Sequence, residues 1–190
     1  MNSHFLLKLV MVALTAVVSA QERITLNFRD SDVKEVLALY ERLTGCHLVL
    51  SNMLVGYVTV TAPKPVPSAK AIELIEAALF LDGFSLIQTK PDTIQVLGIA
   101  TPVLGQPLPT ITRPEDLPAG ERIVAYVYKL KFREPKDIVG VLCRHLVPSP
   151  MGTPSLVVDE PVRAVIITDR TSSVRNLIKL LGELDQPKPK

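Results

Sequence analysis

The chain has 190 residues, nearly balanced charge and few aromatic side chains, and these properties exclude several classes of function. Lys and Arg number 21 against 19 Asp and Glu, so the net charge of +2 gives no electrostatic surface typical of a nucleic-acid or anionic-lipid binder. Aromatic residues make up 5% and Trp is absent, which argues against a stacking platform for bases or sugars.

Residues 1–20 have the pattern of a secretory signal peptide. Lys8 closes a short positive region, residues 9–18 are almost entirely apolar, and Ser19-Ala20 supplies small side chains at the cleavage point. The apolar segment is shorter than the roughly 20 residues that a membrane-spanning helix needs. Cleavage before Gln21 is therefore expected, which predicts export to a bacterial periplasm, where disulfides can form.

The first predicted module covers residues 22–98. Residues 24–28 alternate apolar and polar side chains, which predicts a half-buried strand. An apolar stripe at helical spacing follows, with Asp30 or Ser31 as its N-cap and Gly45 at its end. The later elements are expected at 47–50 and 57–61 (strands), 63–67 (an irregular proline-rich loop), 68–82 (a helix), and 84–89 with 93–97 (a hairpin). The predicted order is β-α-β-β-α-β-β.

A proline-rich linker and a second module follow. Residues 99–121 hold five prolines and two glycines without any period, which is typical of a semi-extended linker. The second module covers residues 122–186, and residues 187–190 form a tail. Its elements are expected at 124–130 (a strand), 135–146 (a helix), 156–158 with 164–168 (a hairpin), and 171–184 (a closing helix). Its order is β-α-β-β-α.

No constellation of catalytic or metal-ligating residues stands out in the sequence. His47 and His145 each stand alone, outside any metal-binding spacing. The acidic pair at 159–160 falls in a predicted hairpin turn, where Asp is favoured for turn hydrogen bonds. Cys46 and Cys143 lie in different modules and are expected to stay unbridged. We therefore expect no enzymatic activity, no bound metal and no cofactor.

Two sets of residues carry a family resemblance. The first set is Leu26, Asn27, Phe28, Asp30, Val33, Val36, Leu37, Leu43, Thr44, Gly45, Leu48, Val49, Leu50, Gly56, Val58, Thr59 and Val60. The second set is Tyr128, Leu130, Asp137, Ile138, Leu142, Val158, Glu160, Pro161, residues 164–169, Val174, Leu177, Ile178, Leu181, Leu184 and Asp185. In this order, they resemble the two N-terminal periplasmic domains of bacterial secretins, most of all the type II secretion system secretin (protein D-like).

The resemblance implies an α+β fold: a secretin/TonB short N-terminal-like domain followed by a KH-like, NolW-like secretin N-terminal domain. It implies a non-catalytic protein-interaction component of a system that exports proteins across the outer membrane. Secretins continue into further modules and a pore, whereas this sequence ends after the second module, so the expected component has no pore of its own. It is expected to be either a fragment or split gene of a secretin, or a soluble secretin-like periplasmic protein. The implied location is the periplasm, with association to the outer membrane through a secretin complex.

The implied partners are other secretion-system proteins, namely a secretin pore chain, an inner-membrane platform protein and further copies in a ring. Neither nucleic acid nor membrane insertion is expected. The candidate contact is the leading strand, Ile24, Thr25, Leu26, Asn27 and Phe28, because an edge strand offers unpaired backbone groups.

Two questions stay open in the sequence. The first module alone would also suit a periplasmic signalling or receptor-associated module of the TonB-dependent type. Family members often have Asn in the turn of the second hairpin where this chain has Arg163, which leaves the type of that turn undecided.

Overall fold

The computed structural model describes residues 22–98, 108–145 and 155–187, which form two α+β modules, as predicted. The first module contains β1 (Arg23–Ile24), β2 (Asn27–Asp32), α1 (Val33–Thr44), β3 (His47–Leu50), β4 (Tyr57–Thr61), β5 (Val66–Pro67), α2 (Ser68–Leu81), β6 (Ser85–Lys90) and β7 (Thr93–Leu97). The second contains β8 (Thr110–Ile111), β9 (Ile123–Lys129), α3 (Pro135–His145), β10 (Ser155–Asp159), β11 (Ala164–Arg170) and α4 (Thr171–Leu184). The predicted signal peptide (1–20) and the first part of the predicted linker (99–107) lie outside the described residues. The exact domain boundaries stay predictions.

Helix α1 begins and ends on local signals in the sequence. Its N-cap is Asp32, whose carboxylate accepts the backbone N–H of Lys34 at 2.8 Å. The predicted caps Asp30 and Ser31 were wrong because the strand continues to Asp32 and the helix begins only at Val33. Gly45 ends the helix in a left-handed conformation at φ 68°, which glycine adopts without steric cost.

Three small sheets surround the two helices of the first module. Strand β2 pairs antiparallel with β4, and β3, β7 and β6 form a mixed sheet in that order. The predicted irregular loop contains a further short pair, since β5 joins β1. Pro67 fits there because a two-residue edge strand needs few backbone donors. The side chains that fill this core include Leu26, Leu37, Tyr40, Leu54, Ile75, Leu79, Phe84 and Ile94.

One mixed sheet with the order β10-β11-β9-β8 carries the second module. The outer strand β8 runs parallel to β9 and lies within the predicted linker. The carboxyl-terminal part of that segment therefore packs on the second module instead of standing apart. The reason is apolar burial, because Ile111 and Leu117 join the same core as Leu142, Ile167 and Leu177.

The closing turn of the β10–β11 hairpin uses an unusual residue. Arg163 has φ 52°, a left-handed conformation that costs non-glycine residues free energy. Its guanidinium donates to the carbonyl of Arg133 at 2.9 Å, and its own carbonyl accepts the N–H of Leu130. The turn thus has the left-handed residue that Asn would suit, and Arg163 holds it through contacts to the loop after β9.

Candidate functional site

The five residues of the predicted contact strand do not form one strand, since Thr25 and Leu26 lie between β1 and β2. Ile24 lies in β1 opposite Val66, whereas Asn27 and Phe28 lie in β2 opposite Thr61 and Val60. The prediction of one continuous strand was wrong because the chain changes its pairing partner between Ile24 and Asn27. The predicted alternation of side chains does hold, since Ile24 and Leu26 are buried and Thr25 and Asn27 are exposed.

A groove of about 490 Å³ runs beside this segment and places three of the five residues together. Ile24, Thr25 and Phe28 line one side, and α1 supplies the other. The remaining lining residues are Glu22, Arg23, Glu35, Ala38, Leu39 and Arg42. Two acidic and two basic side chains therefore flank a partly apolar floor, which is a suitable chemistry for contact with a protein surface.

Backbone geometry leaves one edge of β2 unpaired within the described part of the chain. The N–H of Ala62 donates to the carbonyl of Leu26 at 2.9 Å, which makes Asn27 and Thr61 a non-hydrogen-bonded pair of the antiparallel ladder. The N–H and C=O of Asn27 consequently point away from β4. They are available to an added strand.

A β-bulge limits that edge to a few residues. The register shifts between Phe28 and Ser31, and Asp30 adopts φ 49° within the shift. The N–H of Asp30 donates to the hydroxyl of Thr59 at 2.9 Å instead of to the ladder. Bulges of this kind twist a strand edge and restrict uncontrolled pairing.

A second exposed surface lies on the loop after β3 and at the start of β4. Met53, Val55 and Tyr57 are 86%, 75% and 66% exposed. Strand β3 is the outer strand of its sheet, and the carboxylate of Glu41 accepts the N–H of Leu48 at 3.2 Å. A side chain of the first module thus caps part of this edge.

A third region is the junction of the two modules, where three polar side chains meet out of contact with water. Glu76 on α2 is 2% exposed, and Arg122 at the start of β9 is 6% exposed. Arg122 donates to Glu76 at 2.7 Å and to the hydroxyl of Tyr40 at 2.6 Å. Tyr40 in turn donates to Glu76 at 2.7 Å. The network closes on itself and joins the first module to the second.

The surroundings of this network are tight and partly apolar. Burial raises the pKa of Tyr40, and the positive charge of Arg122 only partly opposes that rise, so the phenol stays protonated. Gly120 has φ 77°, and a side chain there would collide with the carboxylate of Glu76. Nearby, the guanidinium of Arg170 stacks over the ring of Phe80 at 3.9 Å.

The sequence contains one signal for this junction, an acidic residue on the apolar face of α2, which was not among the predicted site residues. Ala71, Ile75 and Leu79 define the buried face of α2, and Glu76 precedes Leu79 by three residues on that same face. A carboxylate inside an apolar stripe predicts a cationic or hydrogen-bonding partner. The partner could not be identified from the sequence, because Arg122 lies 46 residues away in another module.

The residue types that could ligate a metal or form a disulfide lie apart in the described fold. Within residues 22–98, 108–145 and 155–187, no three His, Cys, Asp or Glu side chains come together as a metal site requires. Cys46 and Cys143 are both free. No helix in the described part of the chain is both long and apolar enough to cross a membrane.

The sequence is similar to those of known secretin proteins. Residues 26–96 match the family model described as the GspD-like N0 domain. The type IV pilus biogenesis and competence protein PilQ of Neisseria meningitidis is 22% identical over 174 residues, which cover 87% of this chain. The chain spans only 22% of the length of that relative.

The fold of this chain agrees with that of a solved secretion-system complex. The Klebsiella pneumoniae type II secretion system outer membrane complex of PulD, PulS and the PulC HR domain matches with a TM-score of 0.66 and 16% identity, over 84% of this chain and 26% of that chain. The N-terminal domain of the Pseudomonas aeruginosa secretin XcpQ matches 87% of this chain and 66% of its own chain at 19% identity, with a TM-score of 0.37. Residues 26–96 thus resemble a GspD-like N0 domain, and the resemblance of this chain to the N-terminal periplasmic domains of the bacterial secretins is confirmed.

Proposed function

We propose that this chain is a periplasmic protein-binding component of a secretin-type secretion system and carries no catalytic activity. The observation that carries the proposal is the match of residues 26–96 to the GspD-like N0 domain. The similarity to PilQ adds type IV pilus systems to type II secretion as settings for the chain.

The proposed partners are other proteins of the same secretion system. The PulD complex contains PulS and the PulC HR domain, so a secretin of similar fold is known in assembly with such proteins. For this chain we assign the same class of partner: a secretin pore chain, an inner-membrane platform protein and neighbouring secretin N-terminal domains in a ring. Association with the outer membrane would then be indirect, through the secretin complex.

The surface assigned to the partner is the groove beside β1 and α1. Its apolar floor includes Ile24 and Phe28, and charges of both signs surround it. The outward N–H and C=O of Asn27 lie at the adjoining edge of β2 and can pair with an extended segment. Backbone pairing would supply affinity, while the charged rim would select the partner.

A matched pair of proline substitutions tests the backbone part of this assignment. Asn27→Pro removes a donor from the unpaired edge of β2, whereas Thr61→Pro removes the outward donor from the opposite edge of the same strand pair. We expect the immobilised wild-type chain to capture a secretin or an inner-membrane secretion protein from envelope extract, identified by mass spectrometry. Asn27→Pro should lower that recovery at least tenfold, and Thr61→Pro should not.

Charge substitutions test the rim of the groove. Arg42→Glu reverses a charge that lines the groove, and Lys179→Glu makes the same change on an exposed face of α4. Only Arg42→Glu should weaken binding to the partner and reduce the dependence of that binding on salt concentration. Equal effects of both variants, or capture of a TonB-dependent receptor instead, would count against the assignment and favour the signalling alternative.

A further inference from the structure

The segment just before β9 is held by Glu76 of the first module, together with Tyr40. One oxygen of the Glu76 carboxylate accepts hydrogen bonds from the Arg122 guanidinium and the Tyr40 hydroxyl. The other oxygen accepts the backbone N–H of Glu121 at 2.6 Å. Gly120 passes so close that no side chain fits beneath it. Glu76 thus contacts three consecutive residues at the point where the second module begins.

Arg122 is in turn fixed rigidly to the second module. The backbone N–H of Arg122 donates to the hydroxyl of Thr171 at 3.2 Å. The backbone carbonyl of Arg122 accepts the backbone N–H of Thr171 at 2.8 Å and its hydroxyl at 3.0 Å. Thr171 is the first residue of α4 and is fully buried. A rotation of the second module therefore carries the backbone of Arg122 with it and changes the geometry of the hydrogen bonds to Glu76.

The apolar contacts at the same junction have less directional preference. Ile87 and Leu97 of the first module meet Ile123 of the second, with Leu108 at their edge. Such contacts favour closeness of the two modules but tolerate rotation, because dispersion and desolvation are non-directional. Hydrogen bonds to a carboxylate, by contrast, require defined angles and distances.

We propose that Glu76, Arg122 and Tyr40 form an orientation lock that fixes the second module relative to the first. Within the described residues, the lock is the polar link between the two helices of the first module and the start of β9. A buried ion pair adds little net stability, because desolvation offsets its Coulombic attraction, but arrangements that leave one of its charges buried and unpaired are strongly disfavoured. The lock therefore determines the direction in which the second module leaves the first, independently of which partner binds the groove.

The substitution Glu76→Gln separates charge from size. Three donors point at the carboxylate, namely the Arg122 guanidinium, the Tyr40 hydroxyl and the Glu121 N–H. A glutamine amide offers one acceptor oxygen, and its NH₂ group would face a donor. The side-chain volume is retained, so the apolar contacts can keep the modules in contact while the preferred angle is lost.

Pulsed electron paramagnetic resonance measures this directly. Both native cysteines are replaced, Cys46 by Ala and Cys143 by Ser, and spin labels are attached at Lys34→Cys on α1 and Lys179→Cys on α4, both exposed positions. We expect one narrow distance distribution in this background and at least a twofold broader one after Glu76→Gln. The matched control Glu73→Gln removes an exposed carboxylate from the same helix and should leave the width unchanged.

Hydrogen exchange distinguishes loosening of the junction from unfolding of a module. Protection of β7 and β11 should stay within a factor of three of its starting value in Glu76→Gln. If that protection is lost, Arg122→Gln tests the same network from the other module, and the same broadening is expected. An unchanged distance distribution in a variant whose modules remain protected would overturn the proposal.

Discussion

Two buried carboxylates, Glu76 at the junction and Asp185 at the end of α4, are almost equally shielded from water, at 2% and 5% exposure. Asp185 accepts backbone N–H groups from Lys131, Phe132 and Arg133 at 2.7–2.9 Å, all within its own module. Glu76 accepts from Tyr40 in its own module and from residues 121–122 in the other. A buried carboxylate therefore stabilises a single module when all its hydrogen-bond donors belong to that module. It joins two modules when both of them supply donors.

The largest effect is expected in the apolar core that Asp185 helps to close. Leu177→Ala should lower the free energy of unfolding of the second module by about 2–5 kcal/mol, as truncation of a buried leucine does. Urea denaturation measures it. The exposed Lys179, on the same helix, is the control, and its change to Ala should alter stability by less than about 0.5 kcal/mol. Equal losses from both variants would mean that the buried face of α4 is wrongly assigned.

An intermediate effect is expected from Asp185 itself. Asp185→Asn keeps one acceptor oxygen and turns an NH₂ group toward backbone donors, which should cost about 1–3 kcal/mol. Hydrogen exchange should show faster opening of α4 and of the loop after β9. Glu76→Gln should leave exchange in α4 nearly unchanged, because its donors lie at the junction. Equal acceleration of α4 by both variants would remove the distinction between the two acids.

The same residue makes stability depend on pH. Burial acts to raise the pKa of Asp185, but three backbone donors and the charge of Arg163 outweigh it, so the pKa lies below the ordinary value of 3.8. The unfolded chain therefore takes up this proton at higher pH than the folded chain. The stabilisation is present above the ordinary pKa and is lost as pH falls through the folded one.

Chemical denaturation as a function of pH checks this sign. The stability difference between wild type and Asp185→Asn should be constant above about pH 5 and should narrow as pH falls below 3.8. A difference that grows in acid would show that the folded pKa is raised.

The smallest effect is expected at Arg163. Arg163→Asn relieves the left-handed backbone at φ 52° but removes the guanidinium bond to Arg133. The two contributions oppose each other, so the net change should stay below about 1 kcal/mol. Thermal unfolding measures it, with Val162→Ala in the same turn as the control. A loss above about 2 kcal/mol would mean that the contact to the loop after β9 dominates.

Periodicity predicted most of the fold, because α1, α2, α4 and the main strands each show a clear apolar period. It did not predict β8, since two apolar residues among prolines make no period and the parallel partner β9 lies farther along the chain. It did not predict the junction either. Glu76 was identifiable as a polar residue on an apolar face, but its partner Arg122 is brought to it only by tertiary packing.

The candidate contact strand shows the same limit on a smaller scale. Alternation correctly predicted which side chains of residues 24–28 are buried. It could not predict that the pairing partner changes from β5 to β4, because that change depends on where two other strands lie. The groove beside α1 follows from the same tertiary arrangement and has no signature in the local sequence.

Photo-cross-linking in living cells tests the proposal that the groove beside β1 and α1 binds a secretion-system protein. A photoreactive residue replaces Thr25, which is exposed and lines the groove, or Lys179 on α4 as the control. We expect a covalent adduct from position 25 with a secretin chain or an inner-membrane secretion protein, and no such adduct from position 179. Adducts with that partner from position 179 alone, or no envelope partner from position 25, would contradict the proposal.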